Sequence, residues 1–329
     1  MKVLVTGGSG TVGLGLVEAL LARGVETVVY ALTPPPSVAA DEFAAVGGVR
    51  YEQGDVLDGD RLEHLLRRHE IDVVVHAAAM TPDAKAELTA GPAVINVNCA
   101  GSLTVVMAAS RAGVRRVVQV GSIAAYGTSS MTEPLLVEEV TQDRPETLYE
   151  LSKFTAERAV LRVGPALGIE VVSARVGDVF GRWEHPTEMR ATMSAPFQVM
   201  ALALAGGEAR LPRPGHKPWV YGVDVAEALR LLATAPVLGH RVYNVSSPFS
   251  WGIDDWCALA ARAFPDFRYR IVGEDEGEGE GANVRFFHDN APMSLQRIES
   301  AGYSAKFDLT RAFGDYLEWV RRHRPLLEA

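Results

Sequence analysis

A glycine-rich turn near the start of the chain reads Thr6-Gly7-Gly8-Ser9-Gly10-Thr11-Val12-Gly13. It follows a strand-like run over residues 2–6 and precedes a helical run. In such a turn Gly7 permits the tight bend, Gly10 lets the backbone approach a pyrophosphate, and Gly13 lets the helix pack against the strand. The N–H groups at the start of the helix bind the anion. The turn therefore predicts a dinucleotide site contacted by Gly7, Gly10, Thr11, Val12 and Gly13.

The first 180 residues alternate β-branched runs with longer amphipathic stretches, as βαβ units do. The predicted strands are Lys2 to Thr6, Thr27 to Ala31, Val49 to Gln53, Asp72 to His76, Arg116 to Gly121 and Glu170 to Arg175. The predicted helices are Gly15 to Arg23, Asp60 to His69, Ala93 to Ala112 and Leu148 to Val163. The strands are almost continuously apolar, which suits a sheet covered on both faces. The pattern predicts an α/β fold with a Rossmann-type, doubly wound parallel sheet over residues 1–181.

The remaining residues, 182–329, are predicted to form mainly a smaller C-terminal substrate lobe. The strict alternation fails in a stretch from Arg182 to Pro218 that carries proline, methionine and tryptophan. A run from Val242 to Val245 looks like a strand that returns to the sheet, and helices are predicted at Asp254 to Ala263 and Leu309 to His323. The acid- and glycine-rich segment over residues 273–283 is predicted to be a solvated loop, with a mobile lid as the alternative.

Composition narrows the classes of partner. The chain has 329 residues, a net charge of −9 and a pI near 5.5, with no basic stripe that would favour nucleic acid. The sequence shows no signal peptide and no long uncharged apolar run, so a cytoplasmic protein without a membrane span is expected. Cys99 and Cys257 lie in apolar, helix-like segments and are predicted to be reduced, buried thiols. No cluster with metal-ligand spacing occurs, so no metal is expected.

Two further strand ends fit a dinucleotide site. Gly54-Asp55-Val56 closes the third strand, where Asp55 can accept the adenine amino group and Val56 contributes backbone. His76-Ala77-Ala78-Ala79 closes the fourth, and its alanines let the backbone run beside the cofactor. The second strand ends Tyr30-Ala31-Leu32-Thr33, with neither the acid that grips a ribose hydroxyl nor a cation for a 2′-phosphate. Because residues 26–38 contain no lysine or arginine, NAD is preferred over NADP, with Arg50 as one source of a missing cation.

Three residues form a candidate catalytic set. Tyr149 and Lys153 stand four apart and share one face of the predicted helix. A neighbouring ammonium stabilises phenolate, so Lys153 is expected to lower the pKa of Tyr149 and to hold the nicotinamide ribose. Ser122 directly follows the fifth strand, which places its hydroxyl at the carboxyl edge of the sheet, where ligands bind. Tyr149 is predicted to be the acid/base and Ser122 to bind the substrate oxygen.

With these segments in place, the sequence resembles the extended short-chain dehydrogenase/reductase family, in its epimerase/dehydratase branch, over nearly the whole chain. Further segments that resemble the family are Asn96-Val97-Asn98, Arg175 to Gly181, Trp219 to Ala226 and Tyr243-Asn244-Val245. The resemblance implies a hydride moved between the C4 of the nicotinamide and a carbinol carbon, with Tyr149 carrying the proton. It also implies a supporting role beside the cofactor for Asn98.

The sequence departs from the family's pattern after Ser122 and at two later positions. Dehydratases of this branch place acidic residues where Ile123, Ala124 and Ala125 stand, so a sugar 4,6-dehydratase is disfavoured. Nucleotide-sugar enzymes usually carry asparagine at the position of Asp178 and arginine at that of Lys217. An acidic Asp178 would repel a diphosphate, and Lys217 lacks the bidentate fork of arginine. A smaller polyol, sugar acid or hydroxy-ketone is therefore favoured.

The loop after the sixth strand supplies two more candidate substrate residues. Arg182 and Arg190 flank Trp183 and His185 in a segment expected to overhang the nicotinamide end of the cleft. Either arginine could clamp a carboxylate. The alternative is that both are surface arginines, with Trp183 packed between the lobes.

The leading hypothesis is an NAD(P)-dependent oxidoreductase that acts on a secondary alcohol or ketone of a small polar, sugar-like or sugar-acid substrate. The alternative is an NAD-dependent, nucleotide-sugar epimerase that retains its cofactor. A dinucleotide-sensing protein without activity is disfavoured, because a sensor does not need Tyr149, Lys153 and Ser122. A homodimer is expected, because Ala93 to Ala112 and Leu148 to Val163 resemble the helices that family members pair across a two-fold axis.

Overall fold

The computed structural model describes residues 1–190, 192–273 and 281–327. The strands are β1 (Lys2–Thr6), β2 (Glu26–Ala31), β3 (Val49–Gln53), β4 (Val73–His76), β5 (Arg116–Ser122), β6 (Glu170–Val176), β7 (Val179–Phe180), β8 (Glu208–Leu211), β9 (Val220–Tyr221), β10 (Val242–Val245) and β11 (Arg268–Ile271). The helices are α1 (Thr11–Leu21), α2 (Ser37–Val46), α3 (Gly59–Arg68), α4 (Ala84–Ile95), α5 (Gly101–Ala112), α6 (Ser129–Thr132), α7 (Leu148–Ala166), α8 (Ala195–Leu204), α9 (Gly222–Thr234), α10 (Ile253–Ala263), α11 (Gln296–Ser300) and α12 (Leu309–Arg322).

Seven strands form one parallel sheet in the order β10-β6-β5-β4-β1-β2-β3. The apolar runs that predicted the inner strands are buried, and β4, for example, is covered along its whole length. Strand β3, at the edge of the sheet, is mostly exposed. In chain order, β2 and β3 lie on one side of β1, and β4, β5 and β6 then follow on its other side. Ligands bind where the strand order reverses in this way, at the carboxyl ends of the strands. The predicted Rossmann-type α/β fold is confirmed, and the switch point lies between β1 and β4.

Helix α7 begins where a capping box sets its start. The hydroxyl of Thr147 accepts a hydrogen bond from the Glu150 N–H at 3.2 Å, and the Glu150 carboxylate accepts one from the Thr147 N–H at 3.0 Å. These bonds satisfy donors that the first helical turn would leave unpaired. They fix the helix start at Leu148, one residue before Tyr149, and the four-residue spacing places Tyr149 and Lys153 on the same side of the helix.

The C-terminal part adds two small sheets and a group of helices. Strand β8 pairs with β11, and β7 pairs with β9. Strand β10 instead joins the large sheet, in parallel beside β6. The stretch from Arg182 to Pro218 contains α8 and β8, which the sequence pattern did not reveal, because α8 is apolar nearly all round and shows no clear period.

Trp183 is fully buried where this part packs on α1 and α2. Its ring centroid lies 5.2 Å from that of Phe43 in α2 and 5.4 Å from that of Trp319 in α12. Its indole N–H donates to the Glu18 carboxylate at 2.7 Å. This is the packed position that the sequence offered as the alternative to a functional loop.

Two segments concern the expectations that the chain has no membrane span and that residues 273–283 form a loop or a lid. Residues Ala84–Ala112 are helical throughout and are long and apolar enough to span a bilayer, but half of the most apolar part is buried, as in the core helix of a globular protein. Of the acidic segment predicted to be a loop or lid, residues 274–280 lie outside the described residues. At the end of the same segment, Asn283 donates to the Glu208 carbonyl at 2.8 Å and so lies against β8.

Candidate active site

The glycine turn is shaped by close backbone packing. Gly7 has a φ of +63° and donates to the Tyr30 carbonyl at 2.8 Å. A Cβ at Gly7 would lie 2.6 Å from the Ala78 backbone, and one at Gly13 would lie 2.4 Å from the Gly7 oxygen. By contrast, the nearest protein atom to a Cβ at Gly10 is 3.5 Å away. Gly7 and Gly13 are therefore required by the fold, whereas the space above Gly10 opens into the cavity.

One cavity of about 570 Å³ runs from this turn along the carboxyl edge of the sheet. Its described lining includes every predicted cofactor residue except Asn98, and all of the predicted catalytic residues. The lining at the turn and strand ends comprises Gly7, Gly10, Thr11, Val12, Gly13, Asp55, Val56, Ala77, Ala78 and Ala79. Residues separated by more than 140 positions thus meet around one space of the size that binds small molecules.

The end of the cavity beside β2 and β3 is uncharged apart from Asp55. Its described lining contains Ala31, Leu32 and Thr33 but no lysine or arginine. Ser9 donates to the Thr33 carbonyl at 2.8 Å and holds the end of β2 against the glycine turn. Arg50 is exposed within β3 and does not line the cavity. The described lining at this end therefore offers a sugar hydroxyl neutral groups and a phosphate no cation. Arg61 lies close by, outside the lining, where it donates to the Gln53 carbonyl at 2.6 Å and its charge reaches Tyr30.

The end of β4 is anchored by a buried histidine. His76 Nδ1 lies 2.6 Å from the Thr6 hydroxyl and Nε2 lies 3.1 Å from the Ser102 hydroxyl. Burial lowers the pKa of His76 to about 3, so the ring is neutral at physiological pH. It ties β4 to β1 and to α5, and thereby sets the path of Ala77 to Ala79 along the cavity.

Asn98 supports the site from behind. It lies in a π-helical turn, Asn96–Ala100, between α4 and α5. Its side chain accepts from the Met80 N–H at 2.8 Å and donates to the Met80 carbonyl at 3.0 Å and to the Ser152 hydroxyl at 2.9 Å. Asn98 was expected beside the cofactor, but its neighbour Val97 lines the cavity instead. Asn98 positions the chain after β4 because both ends of its amide are bound by protein.

Ser122, Tyr149 and Lys153 converge on the middle of the cavity. Ser122 ends β5, and its hydroxyl accepts from the Ala124 N–H at 3.1 Å. The Lys153 ammonium donates to the Val120 carbonyl at 2.7 Å. Burial lowers the pKa of Lys153 to about 8, while the Glu157 carboxylate opposes that shift. The arrangement brings a hydroxyl donor, a phenol and a cation to one point at the sheet edge.

The pKa of the Tyr149 phenol is raised, whereas the sequence led us to expect that it is lowered. Burial raises its pKa, and the interactions that most oppose the rise come from the hydroxyls of Ser122 and Thr81 and from the charge of Arg190. The Asp178 carboxylate adds to the rise. The expectation that Lys153 would lower this pKa is corrected in one respect: desolvation is the largest effect, and Arg190 is the cation that opposes it.

Asp178 and Lys217, expected to act separately, form an ion pair. Lys217 Nζ lies 3.2 Å from Asp178 Oδ1 and also donates to the His288 carbonyl at 3.1 Å. The second carboxylate oxygen accepts from the Asn290 amide at 2.6 Å. Both partners line the cavity, and Lys217 is almost fully buried. Their charges offset each other, so the argument that Asp178 would repel an anion as an isolated charge does not hold.

Arg182 does not face the cavity. Its guanidinium donates to the Asp315 carboxylate, from Nε at 2.8 Å, and lies 3.4 Å from Glu18. The chain turns after β7 through Gly181 and Trp183, both with positive φ, which directs Arg182 toward α1 and α12. The proposed carboxylate clamp at Arg182 is therefore corrected to an interlobe ion pair, whereas Arg190 does line the cavity.

Several lining residues carried no recognisable signal in the sequence. Thr81 follows β4, Ser130 lies in α6, and the chain returns late to the site at residues 285–290. His288 approaches the Ser130 hydroxyl at 3.4 Å, and burial lowers the pKa of its imidazole. The two phenylalanines, the histidine and the asparagine in this last segment could have suggested a mixed apolar and polar surface. Nothing in their spacing connects them with strands more than 100 residues earlier.

Comparisons with known proteins agree with this geometry. Residues 3–246 match the model of the NAD dependent epimerase/dehydratase family. A dTDP-glucose 4,6-dehydratase from Streptomyces griseus is 27% identical over 339 residues, covering 98% of this chain and 94% of the relative.

Two solved structures share the fold at 23% identity. The UDP-glucose 4-epimerase of Thermus thermophilus in complex with NAD has a TM-score of 0.78, over 98% of this chain and 99% of that one. MoeE5 in complex with UDP-glucose and NAD has a TM-score of 0.75, over 98% of this chain and 100% of that one.

Proposed function

The chain belongs to the NAD-dependent epimerase/dehydratase family, and we propose that it transfers a hydride between NAD and the secondary alcohol or ketone of a small polar, sugar-like or sugar-acid substrate. The observation that carries the proposal is the convergence of Ser122, Tyr149 and Lys153 on the cavity that begins at the glycine turn. A structural turn or a sensor would not need a phenol and an ammonium at the sheet edge.

The described residues fit a bound dinucleotide. The open space above Gly10, the start of α1 and the small side chains of Ala77 to Ala79 can hold its pyrophosphate and ribose groups. When bound, the nicotinamide supplies a site that accepts or delivers a hydride. We assign NAD and keep NADP as the alternative, because the described lining beside β2 and β3 offers no cation to a 2′-phosphate.

The protein's own residues supply the proton chemistry. During reduction the Tyr149 phenol gives its proton to the oxygen of a ketone, and during oxidation the Tyr149 phenolate takes the hydroxyl proton of an alcohol. Ser122 donates a hydrogen bond to the same oxygen and stabilises the charge that develops on it. Lys153 holds a ribose hydroxyl, and its bond to Val120 fixes it to β5. The cation whose charge reaches the phenol is Arg190.

The local carboxylates argue against elimination of water. Elimination needs a further acid or base beside the leaving hydroxyl. The turn after Ser122 is apolar, and the nearby carboxylates of the described lining are engaged by protein. Glu87 accepts from the Tyr149 N–H at 2.9 Å, Glu150 closes the capping box, and Asp178 binds Lys217. We therefore propose hydride transfer without dehydration, although relatives carry the name dehydratase.

A nucleotide-sugar epimerase with retained NAD is the second candidate. Solved neighbours include a UDP-glucose 4-epimerase with NAD and a complex with UDP-glucose. Arg285 is exposed and lines the cavity, where it could meet a diphosphate. The same Ser122, Tyr149 and Lys153 would serve this reaction, because an epimerase oxidises and then reduces one carbon.

A substrate panel separates the two. Purified protein is incubated with NAD and a set of polyols, aldonates, uronates and nucleotide sugars, and absorbance at 340 nm is followed. Net NADH formation from a non-nucleotide compound supports the proposal. Inversion of a nucleotide sugar without net NADH, by protein that retains NAD through purification, would replace it with the epimerase. A protein that binds NAD but transforms none of these compounds would contradict both.

A further inference from the structure

The guanidinium of Arg190 is held in one orientation by the protein behind it. Its Nη2 lies 2.9 Å from the Glu184 carboxylate, and its Nε donates to the Thr192 carbonyl at 3.0 Å. Glu184 is fully buried and is itself fixed by the N–H and hydroxyl of Ser194, at 2.6 and 2.7 Å. A buried carboxylate bound in this way does not move to follow a ligand. The cation is therefore preorganised on a rigid support.

The segment that carries Arg190 is tied to the reacting end of the cavity. The Thr81 N–H donates to the Met189 carbonyl at 2.7 Å, and Thr81 and Arg190 form a β-bridge. Thr81, Arg190 and Tyr149 all line the same cavity, and the charge of Arg190 reaches the Tyr149 phenol. The Arg190 cation thus lies next to the position where the alcohol or ketone must bind.

One edge of this guanidinium is left for a ligand. Nη1 has no hydrogen-bond partner among the residues that the structure describes, and about a fifth of the side chain is exposed. The other cation at this end, Lys217, is almost fully buried and bound to Asp178. The start of α8, capped by Ser194, adds partial positive charge behind Glu184. Of these two cations, Arg190 is therefore the one that an anion at this end of the cavity can contact.

We propose that Arg190 binds a carboxylate of the substrate, so that the enzyme acts on polyhydroxy carboxylic acids rather than on neutral polyols or aldoses. This inference rests on the proposed hydride transfer. A planar carboxylate matches a guanidinium edge in geometry and charge. A dianionic phosphate fits less well, because one available guanidinium edge cannot balance two charges. Arg190 would also fix the distance from the carboxylate to the carbon that reacts.

Binding to the NADH-loaded protein tests the inference without relying on turnover. Isothermal titration compares C4–C6 aldonates and uronates with their neutral counterparts, for example gluconate with glucitol and galacturonate with galactose. At least one acid should bind tenfold or more tightly than its neutral partner. Arg190→Met should abolish that preference, a loss of roughly ten- to hundredfold, since a charge-assisted hydrogen bond contributes about 1.5–3 kcal/mol. Arg190→Lys, which keeps the charge without the fork, should lose part of it.

Arg144→Met is the matched control, because Arg144 is exposed and lies outside the cavity lining. It should leave the preference for the acid unchanged. Thermal unfolding of each variant checks that it is folded. If Arg190→Met does not fold, the affinity of Arg190→Lys for the acids is the test of the inference. Equal binding of acids and neutral compounds by the wild type, tighter binding of sugar phosphates than of the acids, or an unchanged preference in Arg190→Met would overturn the inference. Acid binding that depends on Arg190 without NADH consumption or formation would sustain it and refute the proposed function instead.

Discussion

The ammonium of Lys153 donates a 2.7 Å hydrogen bond to the carbonyl of Val120, two residues before Ser122 on the same strand. This bond links α7 to the end of β5 and so sets how the Tyr149 side of the site faces Ser122. Lys153 therefore has a structural partner in addition to the ribose contact proposed for it. Removing the lysine should affect cofactor binding and the alignment of Tyr149 together.

NAD affinity should fall at alkaline pH because of Lys153. Burial lowers the pKa of this ammonium to about 8, so it loses its charge as the pH rises through that value. The loss of one charge-assisted hydrogen bond should weaken NADH binding roughly tenfold between about pH 7 and 9.5. Fluorescence titration of NADH measures this. Lys153→Arg stays charged throughout and should show no such decline, whereas a wild-type affinity independent of pH would show that the ammonium does not hold the cofactor.

Asp178 and Lys217 should show strong thermodynamic coupling. Lys217→Met leaves the carboxylate in a partly buried site without its cation, and we expect a loss of about 1–3 kcal/mol in the free energy of unfolding. The double variant Asp178→Asn/Lys217→Met removes the unpaired charge and should recover part of that loss. Urea denaturation of the four proteins of the cycle measures the coupling. Additive single effects would mean that the pair contributes nothing as a pair.

A homodimer remains a prediction that the described surface supports. Met107 in α5 is 45% exposed and Leu151 in α7 is 41% exposed, and both lie in the segments expected to pair across a two-fold axis, Ala93 to Ala112 and Leu148 to Val163. Sedimentation at micromolar concentration should give about twice the 35.4 kDa chain mass. Leu151→Glu places a charge on this face and should shift the protein toward monomer. Wild-type protein that sediments only as a monomer would rule the dimer out.

The predicted residues that the structure brings together around the cavity are those set by local pattern. The glycine turn, the ends of β3 and β4 and the spacing of Tyr149 and Lys153 each depend on a few neighbouring residues. Steric contacts such as that between Gly7 and Ala78 explain why the residue types are restricted there. Arg182 shows the limit of this reasoning, because its direction follows from a turn at Gly181 and from Asp315, more than 130 residues later.

The substrate end could not be derived because its contacts join distant segments. Asp178 meets Asn290 across 112 positions, and Lys217 meets the His288 carbonyl across 71. The effect of each charge on an anionic substrate was therefore inferred separately for Asp178 and for Lys217, and the ion pair between them was not predicted. Arg190, predicted as a candidate substrate residue, lines the cavity, but its buried support from Glu184 follows only from the folded loop.

The central claim is that Tyr149 carries the proton during hydride transfer, and Tyr149→Phe tests it most directly. The substitution keeps the ring and its packing, so thermal stability and NADH affinity should change little. General acid/base groups contribute about a hundred- to ten-thousandfold to rate, and kcat on the substrate identified in the panel should fall within that range. Near-normal kcat in folded, NADH-binding Tyr149→Phe protein would contradict the assignment of the proton to Tyr149.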